Sequence, residues 1–189
     1  MARLGGGVRL TNEGDNFADN FAITRMASSA ARFYGAALGY EPGGFGSARG
    51  VIARLYNCLT NGGEHLFYYH SNLYANDQGI DTWLRHAALL DRRARPKVEV
   101  AALYPDTAIK LDDEPIRYRW GSVYLVQARA LRSALDYDYL SEQMIEDGAL
   151  DRYKVLVFLW GHITEQRILD RLARWVEAGG TLIYPERPR

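Results

Sequence analysis

The side chains best suited to chemistry cluster in the first half of the chain, at places where polar residues interrupt short β-prone runs. Glu41 stands in Tyr40-Glu41-Pro42-Gly43-Gly44, and Glu13 follows Asn12 in Asn12-Glu13-Gly14-Asp15. One carboxylate can attack an electrophilic carbon while a second, protonated, donates to a leaving group, provided their surroundings hold them in different ionisation states. Plainer roles stay open on residue type alone. Glu41 serves equally as a turn residue before Pro42, and Glu13 as a helix-start carboxylate beside Asp15, where the helix dipole favours negative charge. Tyr69, Tyr74 and Trp83 offer flat faces for stacking, while His65, His70 and Asn72 offer hydrogen-bonding groups. Trp83 shares a helical stripe with Ile80 and Leu84, which favours the core. The histidines are scattered and Cys58 is the one cysteine, so no metal set is expected and no internal disulfide can form. Cys58 lies beside Leu59 on a helix face and reads as buried and inert.

The elements that would position these groups alternate. Val8 to Thr11 is a short strand, and Ala22, Met26, Ala30 and Phe33 recur at helical spacing up to Gly35. Ala36 to Tyr40 reads as a second strand, closed by Pro42 and the paired glycines. Ile52, Leu55 and Leu59 mark a helix that stops at Asn61-Gly62-Gly63. Leu66 to Tyr69 is a third strand, and Ile80, Trp83, Leu84, Ala87 and Leu90 a third helix. The basic run Arg92 to Lys97 reads as a solvated linker, and the boundary is expected there. Beyond it come a strand at Val98 to Tyr104, an irregular polar stretch at Ala108 to Arg119, and a helix through Val123, Val126, Ala130 and Ala134. Tyr137 to Leu140 is a strand, Ser141 to Ile145 a helical turn, and Val155 to Trp160 an apolar run suited to a central parallel strand. Ile168, Leu172 and Val176 form the last helix, ended by Gly179-Gly180 before the strand Thr181 to Tyr184. This rhythm predicts an α/β fold.

Composition narrows the classes. The chain has 189 residues with 48% hydrophobic content, enough for packed cores in one ordinary domain or two small ones. Lys plus Arg and Asp plus Glu each total 23, and no basic stripe is interleaved with aromatics, so a nucleic-acid partner is not expected. No apolar run approaches a membrane span, so no membrane partner is expected. The start, Met1 to Gly7, lacks an apolar signal core; with the single cysteine this favours a cytoplasmic location. No Gly-rich phosphate loop follows a first strand, and no cofactor is expected. With 13 tyrosines the chain has many flat faces, which can serve either as ligand platforms or as strand filling.

Two stretches carry a family resemblance. Tyr40-Glu41-Pro42-Gly43-Gly44, Arg49-Gly50 and Gly62-Gly63-Glu64-His65-Leu66-Phe67-Tyr68-Tyr69 resemble the last two strand units of family 42 glycoside hydrolases, the β-galactosidase type. Lys97 to Tyr104, Tyr153 to Val157 and Trp175 to Ile183 resemble the domain that follows the barrel in those enzymes, which is similar in fold to class I glutamine amidotransferases and serves in trimerisation. The resemblance implies that residues 1–95 are the C-terminal part of a (β/α)8 barrel and residues 96–189 the amidotransferase-like domain, both incomplete. It implies Glu41 as the nucleophile of a retaining two-carboxylate mechanism, in which the carboxyl groups stand about 5 Å apart. Asn12 and Glu13 resemble the Asn-Glu pair of the acid/base. One strand–helix unit separates Glu13 from Glu41, however, where three separate the fourth and seventh strands, so Glu13 fits a substrate contact on the sixth. Tyr69, His70, Asn72 and Tyr74 become candidate sugar contacts.

The resemblance thus implies a fragment or divergent member of a β-galactoside-cleaving enzyme, inactive alone because the acid/base lies outside it, with a carbohydrate substrate and a homo-oligomer formed through the second domain. A non-catalytic carbohydrate-binding or oligomerisation module is the alternative. A third reading, a stand-alone flavodoxin-like protein, requires the strands of both halves to form one continuous sheet. Amidotransferase chemistry itself is excluded, because it needs a cysteine nucleophile with a histidine base in reach. The corresponding turn reads Leu159-Trp160-Gly161-His162-Ile163, where His162 reads as a loop residue.

Overall fold

The computed structural model describes residues 2–12, 17–42, 47–66, 77–88, 95–111 and 123–184. The chain divides into two compact units, Met1–Pro96 and Lys97–Arg189. Each has its own all-parallel sheet, so the strands of the two halves do not form one layer and the stand-alone flavodoxin-like reading falls.

In the first unit a short 3-10 turn, Ala2–Leu4, leads into β1 (Val8–Asn12), α1 (Phe17–Tyr34), β2 (Leu38–Pro42), α2 (Ala48–Thr60), β3 (His65–Leu66) and α3 (Asp77–Ala87). The sheet order is β1-β2-β3. Parallel neighbours need a crossover, and α1 and α2 supply the two here. Ser47 starts α2 by accepting the Gly50 N–H at 3.1 Å, and Asn61 closes it. β2 begins and ends two residues later than the alternation predicts. Pro42 is its last member, opposite Asn12, a strand-end position that tolerates the missing N–H.

The core of this unit has an apolar and a polar part. Val51 and Leu55 are fully buried, with Leu66 and Trp83 packed on them. Complete burial of a side chain like Leu55 stabilises by about 2 kcal/mol. Trp83 is thus a packing residue, as its stripe predicts. Between α1 and α2 the buried side chains are instead Thr24, Arg25, Ser28, Ser29, Asn57 and Asn61. Asn57 Nδ2 donates to Thr24 Oγ1 at 2.9 Å and to the Tyr40 hydroxyl at 3.3 Å. Asn61 Nδ2 donates to Asn57 Oδ1 at 3.0 Å and its Oδ1 accepts from Ser28. The apolar stripe expected on α1 is therefore a partial guide: Ala22 is buried, but Met26, Ala30 and Phe33 are only half-buried.

The second unit runs β4 (Val100–Tyr104), α4 (Asp106–Leu111), α5 (Val123–Ala134), β5 (Asp138–Ser141), α6 (Glu142–Glu146), a 3-10 turn (Ala149–Arg152), β6 (Val155–Val157), α7 (Gln166–Glu177) and β7 (Thr181–Ile183). Its sheet order is β5-β4-β6-β7. Strand succession thus changes side at β4, the arrangement of doubly wound sheets. Leu103, Leu140 and Leu156 fill the core together with Tyr124, Tyr137 and Tyr139. These tyrosines are packing residues rather than exposed platforms.

Three expectations for this unit are corrected. The polar stretch from Ala108 is helical as far as Leu111, because Asp106 opens a turn directly after β4. On α5 the buried face is Tyr124, Leu125 and Ala128, while Val123 and Val126 are 60% and 47% exposed. The strand predicted to reach Trp160 ends at Val157.

Candidate functional site

Strand alternation sets which side chains share a face of the first sheet. Tyr40 turns toward the helices, where its hydroxyl meets Asn57. Its neighbours Gly39 and Glu41 therefore face the other way, as do Arg9 and Thr11, their register partners on β1. This face is the one that a strand–helix barrel turns inward, and Glu41 lies near the C-terminal end of its strand, where such folds place their chemistry.

Glu41 is 6% exposed, whereas Thr11 and Arg9 beside it are exposed. Arg9 Nη1 approaches Glu41 Oε2 at 2.7 Å, with side-chain exposures of 66% for the arginine and 8% for the glutamate. The contact is an ion pair without hydrogen-bond alignment, since this buried oxygen has no hydrogen-bonding partner among the described residues. A carboxylate withdrawn from water this far costs free energy that a nearby cation offsets. The Arg9 stem reaches Glu41 by passing over Gly39: a Cβ on that glycine would lie 3.7 Å from Arg9 Cγ. The result is a buried carboxylate at a strand end with its charge matched from the next strand.

Asn12 closes β1 one position beyond Thr11, the partner of Glu41, so its backbone lies at the same end of the sheet. Glu13, Tyr69, His70, Asn72 and Tyr74 lie outside the described residues. His65 opens β3 opposite Gly39 and is exposed. His86 belongs to another environment, with its Nδ1 3.3 Å from the Tyr56 hydroxyl. Arg9 is the participant that sequence reasoning missed. Its only signal is alternation with Thr11 along β1, which becomes informative once the register against β2 is known.

The second unit carries a different constellation at the ends of β4 and β5. Asp106 opens α4 and Glu142 opens α6, and each serves the other's helix. Asp106 Oδ2 accepts the Glu142 N–H at 2.9 Å, while the Glu142 carboxylate accepts the Thr107 N–H at 3.3 Å and the Thr107 hydroxyl. Ser141 adds an ordinary cap by accepting the Met144 N–H at 3.2 Å. Burial raises the Asp106 carboxyl above its usual value; the hydrogen bond from Glu142 opposes this and the Glu142 charge reinforces it. Arg167 is anchored by Glu146 at 2.7 Å and Glu165 at 2.6 Å. The arrangement satisfies helix ends that would otherwise leave N–H groups unpaired.

The turn after β6 has no place for a catalytic thiol. Gly161 holds φ at 100° and lies so close to Pro105 that an added Cβ would be 2.8 Å from the proline Cβ. This packing sets the turn after β6 against Pro105, the residue that follows β4. His162 is exposed, its ring 6.4 Å from that of Trp160. Among the described residues no cluster of His, Cys, Asp or Glu is suited to holding a metal ion, and no helix is long and apolar enough to cross a membrane.

No protein-family model and no curated protein matches the sequence. Among solved structures, the β-galactosidase from the psychrophilic Marinomonas ef1 is similar, with a TM-score of 0.58 at 13% identity. The similarity covers 88% of this chain and 31% of that one, so the chain spans well under half the length of this neighbour. At this identity the likeness is one of fold: a distant, glycoside-hydrolase-like α/β arrangement.

Proposed function

We propose that the chain is a fragment or divergent member of a retaining glycoside hydrolase acting on β-galactoside-like substrates, with Glu41 as the nucleophile. The observation that carries this reading is Glu41 itself, a buried, charge-matched carboxylate near the C-terminal end of a parallel strand, on the face turned away from the helices. A nucleophilic carboxylate must be held in place and shielded from water; burial shields Glu41, and the Arg9 contact gives it a fixed neighbour. Residues 1–95 are then the last three strand units of a (β/α)8 barrel, and residues 96–189 an amidotransferase-like layer that joins copies of the protein. The resemblance in sequence and the fold likeness to a β-galactosidase support the same assignment.

The acid/base belongs to an earlier barrel strand on this reading, so the chain by itself lacks half of the mechanism. Asn12, Glu13, Tyr69, His70, Asn72 and Tyr74 would hold the sugar around Glu41. A dinitrophenyl β-galactoside tests the nucleophile alone, because its leaving group departs without a proton. The expected outcome is one equivalent of dinitrophenolate and a hexosyl adduct on Glu41 found by peptide mass spectrometry, both absent in Glu41→Gln. Adduct formation unchanged in that variant, or none in the folded chain, would remove Glu41 from the role and favour a binding or oligomerisation module. Sustained turnover of a mononitrophenyl glycoside would instead show that the chain contains its own acid/base.

A further inference from the structure

A cavity of about 290 Å³ lies in the first unit between α2, α3 and the start of β3. It sits on the helix-facing side, where Leu66 pairs in register with Tyr40, whereas Glu41 belongs to the opposite face. Its wall is formed by Leu55, Leu59, Leu66, Trp83, Ala87 and Cys58. Glu64 and His65 stand at its rim, both exposed. Neither Arg9 nor Glu41 is among its lining residues.

The local backbone is shaped around the sulfur. The Gly63 N–H bonds the Cys58 carbonyl at 2.9 Å, and a Cβ on Gly63 would lie 2.3 Å from Cys58 Sγ. No residue but glycine fits there without moving the thiol. Interiors of folded proteins are close-packed, and voids much larger than a water molecule are few. This one is open to solvent and lined by polar as well as apolar groups, so a guest with a flat apolar body and one polar edge matches it. The volume lies at the small end of ligand pockets, and an indole edge together with three leucines suits a planar ring.

We propose that this cavity binds a small, uncharged aromatic molecule carrying a single hydrogen-bond donor, of the phenol or indole class. The ring lies against Trp83, Leu59 and Leu66, which keep accessible surface, and the donor is directed to the rim. The acceptors there are the Glu64 carboxylate, paired with Arg95 at 3.8 Å, and the His65 carbonyl, which accepts from the Cys58 thiol at 4.0 Å and has a second lone pair. Two anionic or carbonyl acceptors select a donor and disfavour aromatic carboxylates. A guest with so few atoms binds with an affinity of about 1 mM or somewhat tighter.

Saturation-transfer NMR with indole on the whole chain tests this, with benzoate as the charged comparison. Indole is expected to give a saturable signal at least fivefold stronger than benzoate. The signal should vanish in Leu59→Trp, which fills the cavity, and after Cys58, the chain's one cysteine, is capped with N-ethylmaleimide. Circular dichroism checks that each sample is folded, and Ala87→Phe stands in as filler should Leu59→Trp unfold. No saturable signal in the native chain, equal signals from indole and benzoate, or an indole signal that survives both filling and capping would each overturn the assignment. None of these outcomes depends on turnover or on Glu41.

Discussion

Where α1 meets α2, the groups hidden from water are an asparagine pair, two serines, a threonine and Arg25. Where α5 meets β4 and β5, they are three tyrosines among leucines. The tyrosines bury broad rings, with centroids 5.2 Å apart for Tyr137 and Tyr139 and 6.0 Å for Tyr124 and Tyr139, and each spends its hydroxyl on a nearby acceptor. Tyr124 donates to the Leu103 carbonyl at 3.1 Å and Tyr137 to the Ala128 carbonyl at 2.9 Å. In the first unit the serines and Asn61 also reach the Arg25 and Asn57 carbonyls, but the bonds that join α1, α2 and β2 link side chain to side chain, so those partners depend on each other. In the second, most of the gain is apolar area, and the hydroxyls reach backbone carbonyls held in place by secondary structure. Loss of a group should therefore be more damaging in the first interface than in the second.

The sharpest break of that contrast is Asn57→Leu, which keeps the branching and the number of heavy atoms but has no polar ones. Thr24, Tyr40 and Asn61 each lose a partner at a buried site. A loss of about 3 kcal/mol is expected in urea unfolding, with the slope unchanged. A loss below about 1 kcal/mol would mean that the polar groups find replacements and the contrast fails. Its counterpart in the second unit is Tyr139→Phe. The ring remains, and Tyr137, whose hydroxyl lies 3.1 Å from that of Tyr139, still has the Ala128 carbonyl. About 1 kcal/mol is the expected cost. Burial also drives the Tyr139 phenol above its ordinary range, so this hydroxyl stays neutral at any pH where the protein is folded.

A smaller effect, with a direction set by pH, is expected at Asp106. Its carboxyl is raised in the folded state by burial and by the Glu142 charge, with Lys110 and the Glu142 N–H opposing. A raised value means that the unfolded chain holds the charge more comfortably than the native one. The stabilising contribution is present below the unfolded value and disappears as pH rises through the folded value. Asp106→Asn keeps an acceptor for the Glu142 N–H and removes the charge. Its melting temperature should gain on the native protein as pH goes from 4 to 7, a range set by the raised acidic value. A gap that narrows over this range would reverse the assignment of cause.

The same contrast explains what could be read without coordinates. The alternation of elements, the stop at Asn61-Gly62 and the helical turn after Ser141 are all visible, because local chemistry dictates them: a positive-φ glycine ends a helix and a serine starts one. The burial faces are less visible. Periodicity detects apolar residues, so it finds Ile168 and Leu172 on α7 and Leu55 on α2, but it marks the half-buried Ile52 in place of the fully buried Val51 and passes over Thr24, Ser28 and Asn57. Glu41 is singled out only through the family resemblance of Tyr40-Glu41-Pro42-Gly43-Gly44, since residue type alone leaves it equally a turn residue before Pro42. Arg9 is not singled out at all, since its relation to Glu41 exists only through the register of β1 on β2.

Val126 gives the finest test of that limit. The spacing Val123, Val126, Ala130 and Ala134 describes a credible apolar stripe, yet Tyr124, Leu125 and Ala128 are the residues turned inward. A helix with alternating aliphatic and aromatic positions offers two overlapping stripes, and volume decides between them: the tyrosine ring buries more area than a valine. Val126→Asp should then change stability by no more than about 0.5 kcal/mol, the range of exposed substitutions. Ala128→Asp is the control, because it places a carboxylate at a position fully withdrawn from water. If Val126→Asp proves as damaging as the control, the stripe read from spacing covers a real interface. The exposed valines would then mark a surface that another chain or segment protects.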